Sequence, residues 1–137
     1  MQLLDSVEET EKRQSAWDAM LRMRGEIQRL IFASGDDGRP GRLADVAFNL
    51  PMLLAFDVLK KTVEFAIKEQ KLGTKKGWVQ DARVLPKWIK FANFTAINDR
   101  RDEIVHDGVL HPRLQCSSDI AFIEAQLVSW RVIHEPD

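Results

Sequence analysis

The chain has 137 residues, of which 45% are hydrophobic and 30% charged, and its net charge is −1. This composition is that of an ordinary globular protein, so it excludes a disordered chain, and the length predicts a single domain over residues 1–137. The near-zero charge gives no general argument for a polyanion-binding protein, and the single cysteine, Cys116, excludes an intrachain disulfide framework and suits a reducing compartment.

The N-terminal segment, "MQLLDSVEETEKR", has neither the basic opening nor the apolar run of a signal peptide. No apolar stretch is long enough to span a bilayer, so we expect a cytoplasmic protein that does not contact membranes. Helical spacing then predicts a first long helix over Asp5–Ala33, although Gly25 interrupts the pattern. One arc of it holds the apolar residues Trp17, Met20, Leu21, Ile27 and Ile31. Three glycines and a proline predict a break over Ser34–Arg42.

The middle of the chain predicts a short helix and a long one. "LADVAFNL" (Leu43–Leu50) is a short amphipathic stretch, and Pro51 suits the first turn of a helix over Pro51–Leu72. This second long helix is apolar on more than one side, which is typical of a helix at the centre of a bundle or at an interface. "GTKKG" (Gly73–Gly77) lacks the spacing of a phosphate-binding P-loop and is interpreted as an ordinary loop.

A third long helix is predicted from about Pro86 through Val105, with Gly108 as a left-handed terminator and Pro112 beyond it. Its apolar stripe consists of Leu85, Ile89, Ala92 and Ala96.

The fourth long helix is predicted to begin at Ser117 or Ser118, either of which can cap it. Its apolar face consists of Ile120, Ile123, Leu127 and Trp130. Strand signals are poor, since the chain has no tyrosine and no Asn-Gly hairpin turn. We therefore predict an all-α fold, an up-and-down bundle of four main helices with short accessory helices.

Charge is distributed unevenly along the chain. There are seven Lys or Arg and nine Asp or Glu residues over 1–50, eleven and five over 51–101, and two and seven over 102–137. The basic middle third, which ends at Arg101, can attract a polyanion locally even though the total charge is near zero. Solvated helix faces are the alternative interpretation.

The stretch "DRRDEIVHDG" (Asp99–Gly108) places two arginines, four carboxylates and one histidine within ten residues. On a helix that advances about 100° per residue, four polar side chains share one arc of roughly 140°. They are Asn98, Arg101, Asp102 and His106. A charged helix end, with Arg100 paired to Glu103 one turn away, is the alternative explanation.

The side chains of this cluster have complementary chemical capacities. Histidine transfers protons near neutral pH, and a neighbouring carboxylate can orient it. A guanidinium matches phosphate oxygens through paired hydrogen bonds. Together they suit attack on an RNA phosphodiester, because RNA carries its own nucleophile, the 2′-hydroxyl, and the reaction develops negative charge on the phosphate oxygens. No metal or other cofactor is expected.

"RDEIVH" (Arg101–His106) resembles the R-x4-6-H motif of the HEPN superfamily, whose members are small helical bundles with the motif before the final helix. The resemblance covers the outline of most of the chain and is sharp over six residues. It implies a metal-independent endoribonuclease whose active site is composite across a homodimer. By position, Arg101 would stabilise the phosphate, His106 would act as general acid or base, and Asp102 would orient His106 or the substrate. We add Asn98 and Arg100 as substrate-binding candidates, the first from geometry and the second from the looser motif spacing.

The resemblance also implies RNA as substrate, a role as a toxin or in phage defence, and an antitoxin or defence-system protein as a possible partner. Some HEPN toxins carry a tyrosine two residues after the histidine, where a nucleotidyltransferase modifies it. Gly108 stands at that position, so this mode of neutralisation is excluded.

Other interpretations remain open. The same surface could belong to a non-catalytic helical module that binds a partner protein or a nucleotide; an antitoxin-like immunity protein has no supporting feature. His106, His111 and Cys116 do not have the spacing of a zinc site, and a lone cysteine near a helix start is a poor candidate for a nucleophile. The four tryptophans are predicted to be core residues, except that Trp78, beside a Lys-rich loop, could also stack on a base.

Overall fold

The computed structural model describes residues 1–37, 39 and 42–136, and across these residues it contains helices and no strand. The six helices are α1 (Val7–Ser34), α2 (Leu43–Val46), α3 (Asn49–Glu69), α4 (Trp78–Ala82), α5 (Phe91–Asp107) and α6 (Arg113–Ser129). The prediction of an all-α fold is confirmed. Gly38, Pro40 and Gly41, which belong to the predicted break over Ser34–Arg42, lie outside the described residues.

Helix α1 agrees with its prediction to within two residues at either end. The Ser6 hydroxyl accepts a hydrogen bond from the Glu9 backbone N–H at 3.1 Å, which satisfies one of the unpaired amides of the first turn. The helix continues through Gly25 without a break. Trp17, Met20 and Ile31 are buried, so the predicted apolar arc is the one that faces the core.

Helix α3 is the centre of the fold, which is one of the two positions that its sequence predicted. It packs against α1, α4, α5 and α6 and has buried side chains around much of its circumference. It runs from Asn49 to Glu69, which is two residues earlier at the start than predicted and three earlier at the end. Pro51 lies in the first turn, where its missing N–H costs no hydrogen bond.

The start of α5 differs from the prediction by five residues. Helix α5 begins at Phe91, whereas Pro86–Lys90 is not helical and Lys87 has a φ of 62°. The Gln126 side chain of α6 accepts from Ile89 N at 2.8 Å and donates to Lys87 O at 3.2 Å. The Trp130 indole donates to Pro86 O at 2.8 Å. These tertiary hydrogen bonds hold the segment out of the helix.

The predicted apolar stripe of this helix is consequently wrong in part. Leu85 is buried before the helix starts, but Ile89 is 53% exposed and Ala92 is also exposed. Phe94 and Ile97 are the buried residues of α5. The core side of α5 is therefore the side that also carries Arg101, one turn after Ile97.

Helix α6 begins at Arg113, four residues before the first of the predicted caps. Pro112 is its N-cap residue, in extended conformation, and Pro112 O accepts from Cys116 N at 3.1 Å. Ser117 and Ser118 lie exposed within the helix. The predicted face is confirmed, because Ile120, Ile123, Leu127 and Trp130 are all buried.

Gly108 ends α5 in the left-handed region, with φ 67° and ψ 20°. We expect Gly108→Ala to lower the free energy of unfolding by about 1 kcal/mol, because a Cβ disfavours this backbone conformation. A Cβ there would have no heavy-atom neighbour within 4 Å, so the cost is conformational and not steric crowding. Denaturant unfolding measures it. Gly25→Ala, within α1 and equally open, is the matched control and should stabilise the protein. A loss of stability in Gly25→Ala, or no loss in Gly108→Ala, would contradict this explanation.

No helix within the described part of the chain combines the length and apolar character needed to cross a membrane.

Candidate functional site

The predicted site residues lie on α5, whose position is fixed at two places. Phe94 and Ile97 anchor the helix in the core, and Asn49 of α3 holds the connection that follows it. Asn49 Nδ2 donates to His111 O at 2.8 Å and Asn49 Oδ1 accepts from His111 N at 3.0 Å. Asn49 is buried, so these bonds fix the α5–α6 connection against the start of α3.

Arg100 is partly buried and is paired with a buried carboxylate. Its Nε and Nη2 donate to the two carboxylate oxygens of Asp119 in α6, at 2.9 and 2.7 Å. Asp119 is 2% exposed and also accepts from Gln115 at 2.9 Å. Hydrogen bonding to Asp119 raises the pKa of Arg100. The pair joins α5 to α6. Arg100, which we predicted to bind substrate, thus has a structural partner, and that partner is Asp119 and not Glu103, the partner expected for a charged helix end.

Arg101 lies in a different environment. Its Nη1 donates to Asp102 Oδ1 at 2.9 Å, and the two side chains are 28% and 46% exposed. The guanidinium carbon lies 6.0 Å from the centre of the Phe56 ring of α3. Arg101 also lines a cavity of about 120 Å³ between α3 and α5, whose other lining residues are Leu53, Phe56, Asp57, Lys60 and Val105. Arg101 is thus held by a neighbouring carboxylate and an aromatic ring at the edge of an open cleft.

His106 is exposed in the last turn of α5, and Asn98 is half-buried two turns before it. Arg101 and His106 are about 140° apart around the helix axis. Arg101 faces the α3 side with Ile97, whereas His106 faces solvent. The structure therefore joins Arg101 to Asp102, and Asp102 lies one turn before His106, while Arg101 itself is directed towards α3.

The remaining candidates for chemistry are buried or scattered. Burial raises the pKa of the Cys116 thiol to about 11, so the thiolate is disfavoured. His111 is mostly buried, with Nε2 3.8 Å from a Glu103 carboxylate oxygen, which is too long for a hydrogen bond. Within the described ranges, no three His, Cys, Asp or Glu residues come together as a potential metal site.

Sequence reasoning missed the residues that α3 and α6 bring to the site. Phe56 and Lys60 are one turn apart on α3, and Asp119 lies on the buried side of α6. A carboxylate among the apolar residues Cys116, Ile120 and Ile123 could have indicated that Asp119 needs a buried cation. No local signal marks Phe56 and Lys60, because only the packing of α3 on α5 places them beside Arg101.

Comparisons with protein-family models, with curated proteins and with solved structures give no match to this chain.

Proposed function

We propose that this chain is a metal-independent endoribonuclease of the HEPN type that acts as a homodimer on single-stranded or loop RNA. The proposal includes the HEPN-like arrangement of the four long helices as an up-and-down bundle. It also includes a cytoplasmic role as a toxin or in phage defence, with an antitoxin or defence-system protein as a possible partner.

The contrast between Arg100 and Arg101 carries the proposal. Arg100 is paired through two nitrogens with a carboxylate that is 2% exposed, and such a pair is costly to break. Arg101 bonds a carboxylate that is itself 46% exposed, and surface pairs of this kind contribute little. An RNA phosphate can therefore displace Asp102 from Arg101 at low cost. This favours Arg101 as the arginine of the motif, with Asp102 orienting its guanidinium until substrate binds.

The proposed reaction is transesterification within the RNA. The 2′-oxygen attacks the adjacent phosphorus, the bond from phosphorus to the 5′-oxygen breaks, and the products are a 2′,3′-cyclic phosphate and a 5′-hydroxyl. One group removes the 2′-hydroxyl proton and another protonates the leaving oxygen. His106 is exposed and takes one of these two roles, and a water molecule takes the other. Arg101 stabilises the charge that develops on the non-bridging oxygens, and half-buried Asn98 contacts the RNA beside them.

The position of exposed apolar residues supports the homodimer. Val105, Val109 and Leu110 are about half exposed, and they flank His106 along the chain. Exposed apolar side chains close to a candidate site favour burial against another protein. A second copy placed there would bring its own α5 end close to the first, and so provide the His106 that one chain keeps away from Arg101.

The proposal predicts RNA cleavage that survives EDTA and is lost on substitution of either motif residue. Purified protein is incubated with mixed RNA in EDTA, alongside Arg101→Ala and His106→Ala. We expect each variant to cut at least a hundredfold more slowly, because each loses a group that acts in the transition state. His134→Ala, which removes another exposed histidine, is the matched control and should keep full activity.

Two results would contradict the proposal. Cleavage that persists in both variants would show that the activity belongs to another site or to a contaminating nuclease. A wild-type protein that cuts no RNA but captures a partner protein or a nucleotide through the same surface would favour the non-catalytic module.

A further inference from the structure

The cleft beside Arg101 holds a second cation. Lys60 of α3 lines the same 120 Å³ cavity, and its ammonium lies 5.2 Å from the centre of the Trp78 ring of α4. Trp78 contacts Phe56 edge-to-face, with ring centres 6.2 Å apart, and Arg101 lies over Phe56. Each of these two adjoining aromatic rings therefore has one cation beside it, and both cations line the same cavity. Cation–π contacts of this kind fix where a flexible side chain places its charge.

One carboxylate also lines this cavity, but it has a cation of its own. Asp57 bonds the ammonium of Lys61 at 2.9 Å, and both side chains are about half exposed. Lys61 thus offsets the charge of Asp57, and Asp102 offsets that of Arg101 until a phosphate displaces it, whereas Lys60 forms no ion pair among the described residues. The cavity has room for several water molecules or for one small anion.

The positive surface continues from the cleft along the chain. Trp78 directly follows the loop 70–77, which carries exposed Lys71, Lys75 and Lys76 and no acidic residue. Contacts through Phe56 and Trp78 thus connect Arg101 of α5, Lys60 of α3 and the start of α4, and the Lys-rich loop joins this group directly before Trp78 in the sequence. Cations spaced along a surface suit the phosphate backbone of a single-stranded nucleic acid.

We propose that Lys60 is a phosphate-binding residue for single-stranded RNA, that Trp78 positions its ammonium, and that the RNA runs from the Arg101 cleft towards the Lys-rich loop. This inference rests on the proposed function for its choice of RNA, and it adds the path of the substrate and a residue outside the motif. Lys60 acts in binding and transfers no proton.

Binding is measured apart from cleavage with a fluorescent single-stranded 2′-O-methyl oligonucleotide, which lacks the nucleophilic hydroxyl and stays intact. Anisotropy titrations at several NaCl concentrations give the slope of log K against log[NaCl]. We expect Lys60→Gln to reduce the magnitude of that slope by about 0.7, the value for one lost phosphate contact on a single strand. Lys60→Arg should keep the slope. The matched control is the double variant Asp57→Asn/Lys61→Gln, which removes a neutral ion pair beside the cleft and should leave the slope nearly unchanged.

Trp78→Leu tests the positioning role, since it alters no charge. We expect weaker binding than wild type in this variant, with thermal unfolding confirming that it is folded. The inference would be overturned by an unchanged slope in Lys60→Gln, by an equal change of slope in Lys60→Gln and in Asp57→Asn/Lys61→Gln, or by no binding of the oligonucleotide to wild type. Tight, Lys60-dependent binding without any RNA cleavage would retain the inference and reject the ribonuclease, so the two proposals fail separately.

Discussion

Arg100→Met is expected to lower the free energy of unfolding by about 3 kcal/mol, because it leaves the Asp119 carboxylate buried without a cation. For a domain of this size that loss corresponds to a fall in melting temperature of about 10 °C. Gln115 still donates one hydrogen bond to Asp119, and the Arg100 side chain is 23% exposed, so the effect lies at the lower end of the range for buried pairs. Thermal and denaturant unfolding both measure it.

Arg101→Met is the matched control for that experiment. It removes the neighbouring arginine of the same helix, whose partner Asp102 is half exposed, and it should cost less than 1 kcal/mol. The two substitutions should therefore affect different properties. Arg100→Met should lower the stability of the protein, whereas Arg101→Met should leave the stability nearly unchanged and abolish the cleavage of RNA. Equal destabilisation by both would show that the Arg100–Asp119 pair does not have the role that its burial implies.

A double substitution tests the cause of the effect. Arg100→Met with Asp119→Leu removes both charges and leaves no buried carboxylate to be desolvated. Replacing a buried pair by apolar residues is often neutral or stabilising, so we expect the double variant to recover most of the stability that Arg100→Met loses. Failure to recover would mean that the shape of the Arg100 side chain, and not its charge, holds α5 against α6.

The sequence predicted the helices where local signals and tertiary contacts agree. Pro51 in a first turn and Gly108 at a helix end are local devices, and each acts where the sequence predicted it. The start of α5 was predicted wrongly because Gln126 and Trp130 bind the backbone of the preceding segment. Those partners are about 40 residues away along the chain, so no window of helical spacing contains them.

The candidate site, like the fold, could be predicted from the sequence only in part. Arg101, Asp102 and His106 form a motif within six residues, so the sequence alone could place them on one helix. The different partners of Arg100 and Arg101 could not be predicted, because adjacent arginines have the same local chemistry. Their roles separate only when α6 places Asp119 beside Arg100 and α3 places Phe56 beside Arg101. The position of Lys60 depends on the same packing of α3 against α5, and for this reason the sequence did not indicate it.

Arg101 and His106 lie about 140° apart around α5, and this separation leads to the second prediction with a large effect, which concerns the activity of mixed variants. If the active site combines Arg101 of one subunit with His106 of the other, then two inactive variants should restore activity when mixed. In a heterodimer of Arg101→Ala and His106→Ala, one of the two composite sites keeps both wild-type residues. Random exchange at equal amounts should therefore recover about a quarter of the wild-type rate, from single variants that are at least a hundredfold impaired.

Subunit exchange must be allowed to occur, for example by mixing the variants in mild denaturant and then removing it. The controls are each variant treated in the same way alone, and the double variant Arg101→Ala/His106→Ala mixed with wild type, whose heterodimers contain no intact composite site. Activity of the mixed variants that stays at the level of either one alone would place Arg101 and His106 of the same subunit in one site. Arg101 would then have to leave Phe56 and reach past Asp102 to His106, and RNA binding would have to drive that movement.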